Sequence, residues 1–229
     1  MQSKKPIALS FSGKDSVLAL HKLTHEYIDK YEVKTFISTI NKDYNRSSMH
    51  GTRVELLEAQ AKKLGFALKK IYIPKDCSNK IYSNIMKQAC EELKADGIYN
   101  IAFGDIFLES VKNYRQDMLK QAGMQAIFPL WGIPTADIMD EFLSLGYKTI
   151  ITCIDLIKLP EEFSGSFITR DLLKKLPKNV DICGEYGEYH SFVYDGPMFG
   201  SAIKFKTGEK KLVDDIYTKE ARFLYTDIY

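Results

Sequence analysis

The first stretch of the chain that can do chemistry is Ser10-Phe11-Ser12-Gly13-Lys14-Asp15-Ser16. An apolar run at 7–10 precedes it, and Val17, Leu18, Leu20 and Leu23 follow at helical spacing. The stretch therefore falls between a strand and a helix. Small residues let backbone N–H groups approach an anion closely. The start of the helix adds the positive end of its dipole. Lys14 can reach a phosphate oxygen as a point charge, and Ser12 and Ser16 can donate hydroxyl hydrogen bonds. Asp15 can hold Mg²⁺ or cap the helix. This is not a Walker A loop, because Ala8 and Asp15 stand where that motif needs Gly and Ser or Thr. The plain alternative is a serine-capped helix carrying a surface lysine.

Two further clusters stand out. Gly104-Asp105-Ile106-Phe107-Leu108-Glu109 follows another apolar run, with Asn113-Tyr114-Arg115 just beyond. Gly104 lets the backbone approach a ligand, and Asp105 and Glu109 are candidate metal or ammonium ligands. A turn opening a solvated helix would also favour acidic residues there. In Cys183-Gly184-Glu185-Tyr186-Gly187-Glu188-Tyr189-His190-Ser191-Phe192, two carboxylates, an imidazole and a hydroxyl crowd together ahead of Asp195-Gly196-Pro197. If Glu188 opens a strand, Glu188 and His190 share a face. Such a pair can orient a nucleophile or move a proton. A β-turn with a polar strand face would read the same way.

The first stretch resembles the PP-loop of the N-type ATP pyrophosphatases, usually Ser-Gly-Gly-Lys-Asp-Ser. Here Ser12 replaces one glycine, or the loop is a residue shorter, while Lys-Asp-Ser is intact. All three stretches together resemble the diphthine–ammonia ligase family, and its bacterial-looking branch in particular. The family's third signature is usually Gly-Glu-Asn-Gly-Glu-Tyr/Phe-His-Thr-Phe followed by Asp-Gly-Pro. Tyr186 and Ser191 depart from it. Arg46-Ser47-Ser48-Met49-His50-Gly51 resembles the family's loop after the second strand, and the likeness runs to about Phe199.

The resemblance implies an adenine-nucleotide α-hydrolase fold, Rossmann-like, with a smaller C-terminal domain. It implies that a substrate carboxylate attacks the α-phosphorus of ATP, that pyrophosphate leaves, and that ammonia then displaces AMP to form an amide. Lys14, Asp15, Glu185, Glu188 and His190 would serve catalysis, with Glu185, Glu188 or His190 holding ammonium and accepting its proton. Ser10, Ser12, Gly13, Lys14, Asp15, Ser16, His50, Gly104 and Asp105 would bind the nucleotide, and Asp15 the Mg²⁺. Backbone groups at Ser38 and Ile40 would read the adenine edge where their strand ends, as in other doubly wound folds. Glu185, Glu188 and His190 are expected to face the same cleft as Lys14.

The elements that must position these residues alternate through the first half. Strands are predicted at 7–10, 33–40, 68–73, 98–103 and 126–130. Helices between them are marked by Val17 to Leu23, by Val54, Leu57, Ala61 and Leu64, by Ile81, Ile85, Ala89 and Leu93, and by 108–121. Such alternation predicts an α/β fold with a parallel sheet and right-handed crossovers. Its ligands bind outside the carboxyl ends of the strands, which points to 11–16, 41–51 and 104–109. After a boundary near Gly132–Thr135 the pattern changes. A helix at 136–145, a strand at 148–154, a short helix at 170–176 and β-rich stretches from Tyr189 onward predict a smaller α+β domain. The expected division is 1–133 for the nucleotide and 134–229 for the acceptor side.

Composition narrows the function classes. With 229 residues, 45% hydrophobic and 27% charged, the chain reads as an ordinary globular protein. A net charge of +2 gives no reason to expect a nucleic-acid or membrane-surface partner. The four cysteines form no CxxC pair. The polar start through Pro6 and the lack of a long apolar run predict a cytoplasmic protein with reduced thiols and no membrane partner. No cysteine-led amidotransferase domain is visible, so free ammonia is the expected nitrogen source. The acceptor is a carboxylate on a protein side chain, diphthine in the family's archetype, or on a small molecule. A homo-oligomer is compatible with the sequence. Two other classes compete: a non-catalytic adenine-nucleotide sensor, and a PP-loop enzyme acting on tRNA. The latter would usually add a cysteine pair and a basic surface.

Overall fold

A strand buried on both faces must be apolar along its whole length. Ile7, Ala8 and Leu9 meet that requirement, with no solvent exposure in the first strand. The structure is a computed structural model that describes residues 3–215, 218 and 220–229; Met1 and Gln2 of the polar start lie outside them. Along the chain run β1 (Lys5–Ser10), α1 (Lys14–His25), β2 (Tyr31–Asn41), β3 (Arg46–Ser47), α2 (Val54–Leu64), β4 (Ala67–Ile73), α3 (Asn79–Ala95) and β5 (Asn100–Ala102). Then come α4 (Glu109–Gln121), β6 (Gln125–Ile127), α5 (Thr135–Ser144), β7 (Lys148–Asp155), α6 (Arg170–Leu173), β8 (Tyr189–Asp195), β9 (Thr207–Asp214) and β10 (Ala221–Ile228). These divide into two compact units, one of Met1–Arg46 and Gly65–Gly132, the other of Ser47–Leu64 and Ile133–Tyr229.

The first unit holds a parallel array in the order β4-β2-β1-β5-β6. Relative to chain order this is the 3-2-1-4-5 arrangement of doubly wound folds, which reverses between β1 and β5. The α/β, Rossmann-like expectation therefore holds. β2 outruns β1: their pairing ends at Ser10↔Ile37, whereas β2 stays paired with β4 as far as Asn41↔Ile73. Helix α3 buries Met86, Ala89, Cys90 and Leu93 against the sheet core, with Ile85 partly covered. Ile81, expected on that stripe, is exposed. It lies in the first turn of α3, where Ser78 caps the helix through the Ile81 amide, and the apolar contact begins one turn later. The last strand, β6, is shorter than the predicted 126–130. The chain turns after it, and the Gly132 amide bonds the Ile106 carbonyl at 2.9 Å.

The second unit is built on a smaller, antiparallel sheet in the order β8-β7-β10-β9. Strand β7 is buried from its second residue onward, as a central strand should be. Helix α2 belongs to this unit. Its wholly buried Gln60 donates to the Val193 carbonyl of β8 at 2.6 Å, and Arg53, just ahead of the helix, pairs with Asp227 of β10 at 2.5 Å. Among the described residues, no helix is long and apolar enough to cross a membrane.

Candidate functional site

In the first unit the loop after β1 turns directly into α1 at the point where the strand order reverses. The Phe11 amide bonds the Ile37 carbonyl at 2.9 Å, and the Phe11 ring stacks on Phe36 at 4.3 Å. Ser38, on β2, donates its hydroxyl to the Phe11 carbonyl. The loop is thus bolted to the sheet before it reaches Ser12. Ser16 then closes it. Its hydroxyl donates to the Gly13 carbonyl at 2.7 Å and accepts the Ser12 amide at 3.0 Å.

Gly13 is the N-cap of α1 and has no side-chain cap, so neither a capping serine nor a capping Asp15 describes this helix start. Lys14 is the first residue of α1 and only 3% exposed, which rules out a surface lysine. Its ammonium lies 2.8 Å from both Asp15 carboxylate oxygens. A buried cation, a carboxylate and a first helical turn, whose amides have no intrahelical acceptor, share one small region. It suits a polyanion.

Gly104 is required there. A Cβ on it would sit 2.8 Å from the Asp15 carbonyl carbon and 2.9 Å from the Ser16 amide nitrogen. The end of β5 therefore packs directly on the start of α1. Gly104→Ala is expected to push the first turn of α1 away and to cost about 1–3 kcal/mol, as overpacking does. Denaturant unfolding checks this; an unshifted midpoint would show that the contact is not limiting. Asp105 is held by Arg115, with Nε at 2.6 Å, while the guanidinium lies 4.4 Å from the centre of the Phe103 ring. The Ile40 side chain is buried in the core, which leaves only its backbone to meet a ligand.

In the second unit an aspartate that the sequence reading passed over organises the 183–192 stretch. Asp181 accepts the amides of Cys183 at 2.9 Å and Glu185 at 3.2 Å on one oxygen, and the Thr135 hydroxyl at 2.8 Å on the other. Its own amide donates to Glu188 Oε1 at 3.0 Å. The loop is tied at both ends by carboxylate–amide bonds. Gly184 makes the turn possible: its φ is +71°, and a Cβ would meet the Tyr189 ring at 2.8 Å. The signal for Asp181 was present, since an aspartate bonding the amide two residues on is an Asx turn.

Glu188 is 1% exposed, and its second oxygen, Oε2, has no hydrogen-bond partner among the described residues. A buried carboxylate oxygen left this way is costly unless something else binds it. Glu185 is half-buried and Tyr186 is 65% exposed. His190, on β8, places its ring 4.6 Å from that of His50. The His50 imidazole Nδ1 lies 3.3 Å from the Ser191 carbonyl, and Thr152 donates to the His50 carbonyl at 2.9 Å. Two residues named from separate motifs are thus neighbours. Asp195 closes the neighbouring turn. A hydrogen bond from Lys148, assisted by the Gly196 amide, holds its carboxyl below the usual range.

No trio of His, Cys, Asp or Glu placed to hold a metal occurs among the described residues. Mg²⁺ commonly takes only one or two protein carboxylates and completes its shell with phosphate oxygens and water. Asp15 fits that pattern for a cation that arrives with a phosphate ligand.

A doubly wound parallel sheet with Gly-Lys-Asp-Ser at its reversal point defines a PP-loop protein of the adenine-nucleotide α-hydrolase fold. Within that class the chain belongs to the diphthamide synthase family, whose N-terminal domain matches residues 4–126 and whose C-terminal domain matches 134–221. The diphthine–ammonia ligase of Mus musculus is 26% identical over 117 residues, covering 49% of this chain and 44% of that protein. That of Danio rerio is 25% identical over 138 residues, covering 57% and 52%. The chain spans about half the length of these curated relatives. Among solved structures, a predicted subunit of tRNA methyltransferase from Methanocaldococcus jannaschii aligns with a TM-score of 0.41 at 20% identity, covering 69% of this chain and 81% of that one.

Proposed function

We propose that the chain is an ATP-dependent amide-forming ligase of the diphthine–ammonia ligase type, cytoplasmic, with free ammonia as its nitrogen source. The observation that carries this is the buried Lys14, paired with Asp15 at the first turn of α1, in a chain matched along both domains of the diphthamide synthase family. The first unit takes the nucleotide and the second serves the acceptor, so that 47–64 leave the expected 1–133 segment for the acceptor side. Ser10, Ser12, Gly13 and Ser16 shape the phosphate loop, with Gly104 packed beneath it and Asp105 fixed beside it. The backbone at Ser38 and Ile40 meets the adenine.

In the first step an acceptor carboxylate oxygen attacks the α-phosphorus, and the bond to pyrophosphate breaks. Lys14 and the first-turn amides of α1 neutralise the charge growing on the leaving group. Mg²⁺ held by Asp15 would add Lewis-acid stabilisation of the phosphates. In the second step the ammonia nitrogen attacks the acyl carbon, and AMP leaves as the amide forms. Glu188, whose Oε2 has no hydrogen-bond partner among the described residues, suits holding ammonium and taking its proton; Glu185 and His190 are the other bases of the cluster.

The decisive measurement follows ATP with ammonium and candidate carboxylates present, on small molecules and on proteins. AMP and pyrophosphate, with release stimulated by one acceptor and by ammonium, are expected. ADP and phosphate would overturn the reading, and nucleotide binding without turnover would make the protein a sensor.

A further inference from the structure

Strand β9 is the outer strand of the second unit's sheet. Among the described residues, it pairs on one side only, with β10. It is open to solvent along nearly its whole length, including Leu212 at 51% and Val213 at 37% exposure. An open edge of this kind offers a row of N–H and C=O groups to another strand, and proteins usually blunt it with charge. Here the charges are patterned. Successive side chains alternate faces along 210–214, so Lys210, Leu212 and Asp214 share one face, and Lys211 and Val213 share the other; below Lys210 the register with β10 shifts.

We propose that β9 pairs antiparallel with β9 of a second copy of this chain, about a two-fold axis through Leu212. A two-fold pairing sets a residue against its own copy at the axis and mirrors the rest around it. Centred on Leu212, it places Leu212 against Leu212 and each Lys210 opposite Asp214 of the second copy. One face then reads as an apolar centre flanked by two ion pairs. On the other face Lys211 lies opposite Val213. Glu209 and Asp215 are a like-charged pair outside the regular run: the register with β10 shifts below Lys210, and Asp215 follows the end of β9 with its carboxylate held by Arg222 at 3.0 Å.

Neighbouring registers are worse. Centring on Lys210, Lys211 or Asp214 sets like charges opposite each other at the axis itself, which destabilises a sheet more than a like pair beyond its regular run. Centring on Val213 sets Leu212 against a charged Asp214. Lys210 reaches both the Glu161 carbonyl at 3.2 Å and its exposed carboxylate at 3.4 Å, and its ammonium has a third donor for Asp214 of the second copy.

Light scattering should give a mass twice the 26.2 kDa of the chain at micromolar concentration. Lys210→Asp should raise the dissociation constant about tenfold or more, because two attractive pairs become repulsive. The double variant Lys210→Asp/Asp214→Lys should restore the dimer, although the Glu161 contact stays lost. In a Cys77→Ser background, Leu212→Cys should form an intermolecular disulfide on mild oxidation, and Val213→Cys should not. A monomeric wild type, a dimer indifferent to Lys210→Asp, a double variant that fails to re-associate, or equal cross-linking at 212 and 213 would each overturn the proposal. The four substituted positions on β9 are exposed and Cys77 is half-buried, and circular dichroism checks that each variant is folded.

Discussion

Lys14→Ala is expected to cut pyrophosphate release from ATP by roughly one to two orders of magnitude, the loss of about 1.5–3 kcal/mol that removing one charge-assisted hydrogen bond brings. The side chain is buried at the mouth of a helix, where its ammonium pairs with the adjacent Asp15 at 2.8 Å. A phosphate arriving there meets a cation already stripped of most of its water, so the contact is strong. Asp15 left alone still lies in the first turn of α1, where the helix dipole favours a carboxylate. The fold should therefore persist, and far-ultraviolet circular dichroism should be unchanged. Lys14→Arg should not rescue turnover, since a planar fork does not fit a space shaped for a compact ammonium. Nucleotide affinity and turnover equal to wild type in Lys14→Ala would sink the phosphate-loop reading.

Glu188→Gln should separate the two half-reactions. Glutamine keeps a carbonyl oxygen to accept the Asp181 amide, so the 181–188 loop stays tied. It loses the charge and the basicity of the unpartnered oxygen. Amide formation should fall by about 10²–10⁴-fold, the usual worth of a general base, while acceptor-dependent exchange of pyrophosphate into ATP survives. Glu188→Ala should in addition lower stability, because the Asp181 amide would lose its acceptor. Equal losses of exchange and amide formation in Glu188→Gln would assign the residue to the first step or to the scaffold instead.

The parallel sheet was legible because its signals are local. A strand covered on both faces has to be apolar throughout, and a small-residue loop between such a strand and a helix can hardly lie anywhere but at the sheet's carboxyl end. Other features depend on tertiary neighbours. The apolar positions of α2 show that one face is buried but not which sheet buries it. The stripe of α3 was read one turn early, because spacing alone does not say where a helix leaves its sheet. The meeting of His50 and His190 is set by the pairing of β7 with β8 and by Thr152 beneath both, none of which leaves a trace at either histidine. Ser16, read as a donor toward a ligand, spends its hydroxyl closing its own loop, a geometry that spacing cannot reveal.

The placement of α2 has a consequence for synthesis. The ribosome completes this helix, and then all of β4 to β6, before it begins the sheet that α2 packs on. At about 5–20 residues per second the helix waits many seconds for β8. Meanwhile Leu57 and Ala61, buried in the finished protein, have no sheet to cover them. Arg53 waits longer still, because Asp227 lies on β10, well after β8. The nascent chain thus carries an uncovered apolar helix until β8 has been made, the kind of segment on which a holding chaperone acts. The second unit closes only once β10 has followed β8.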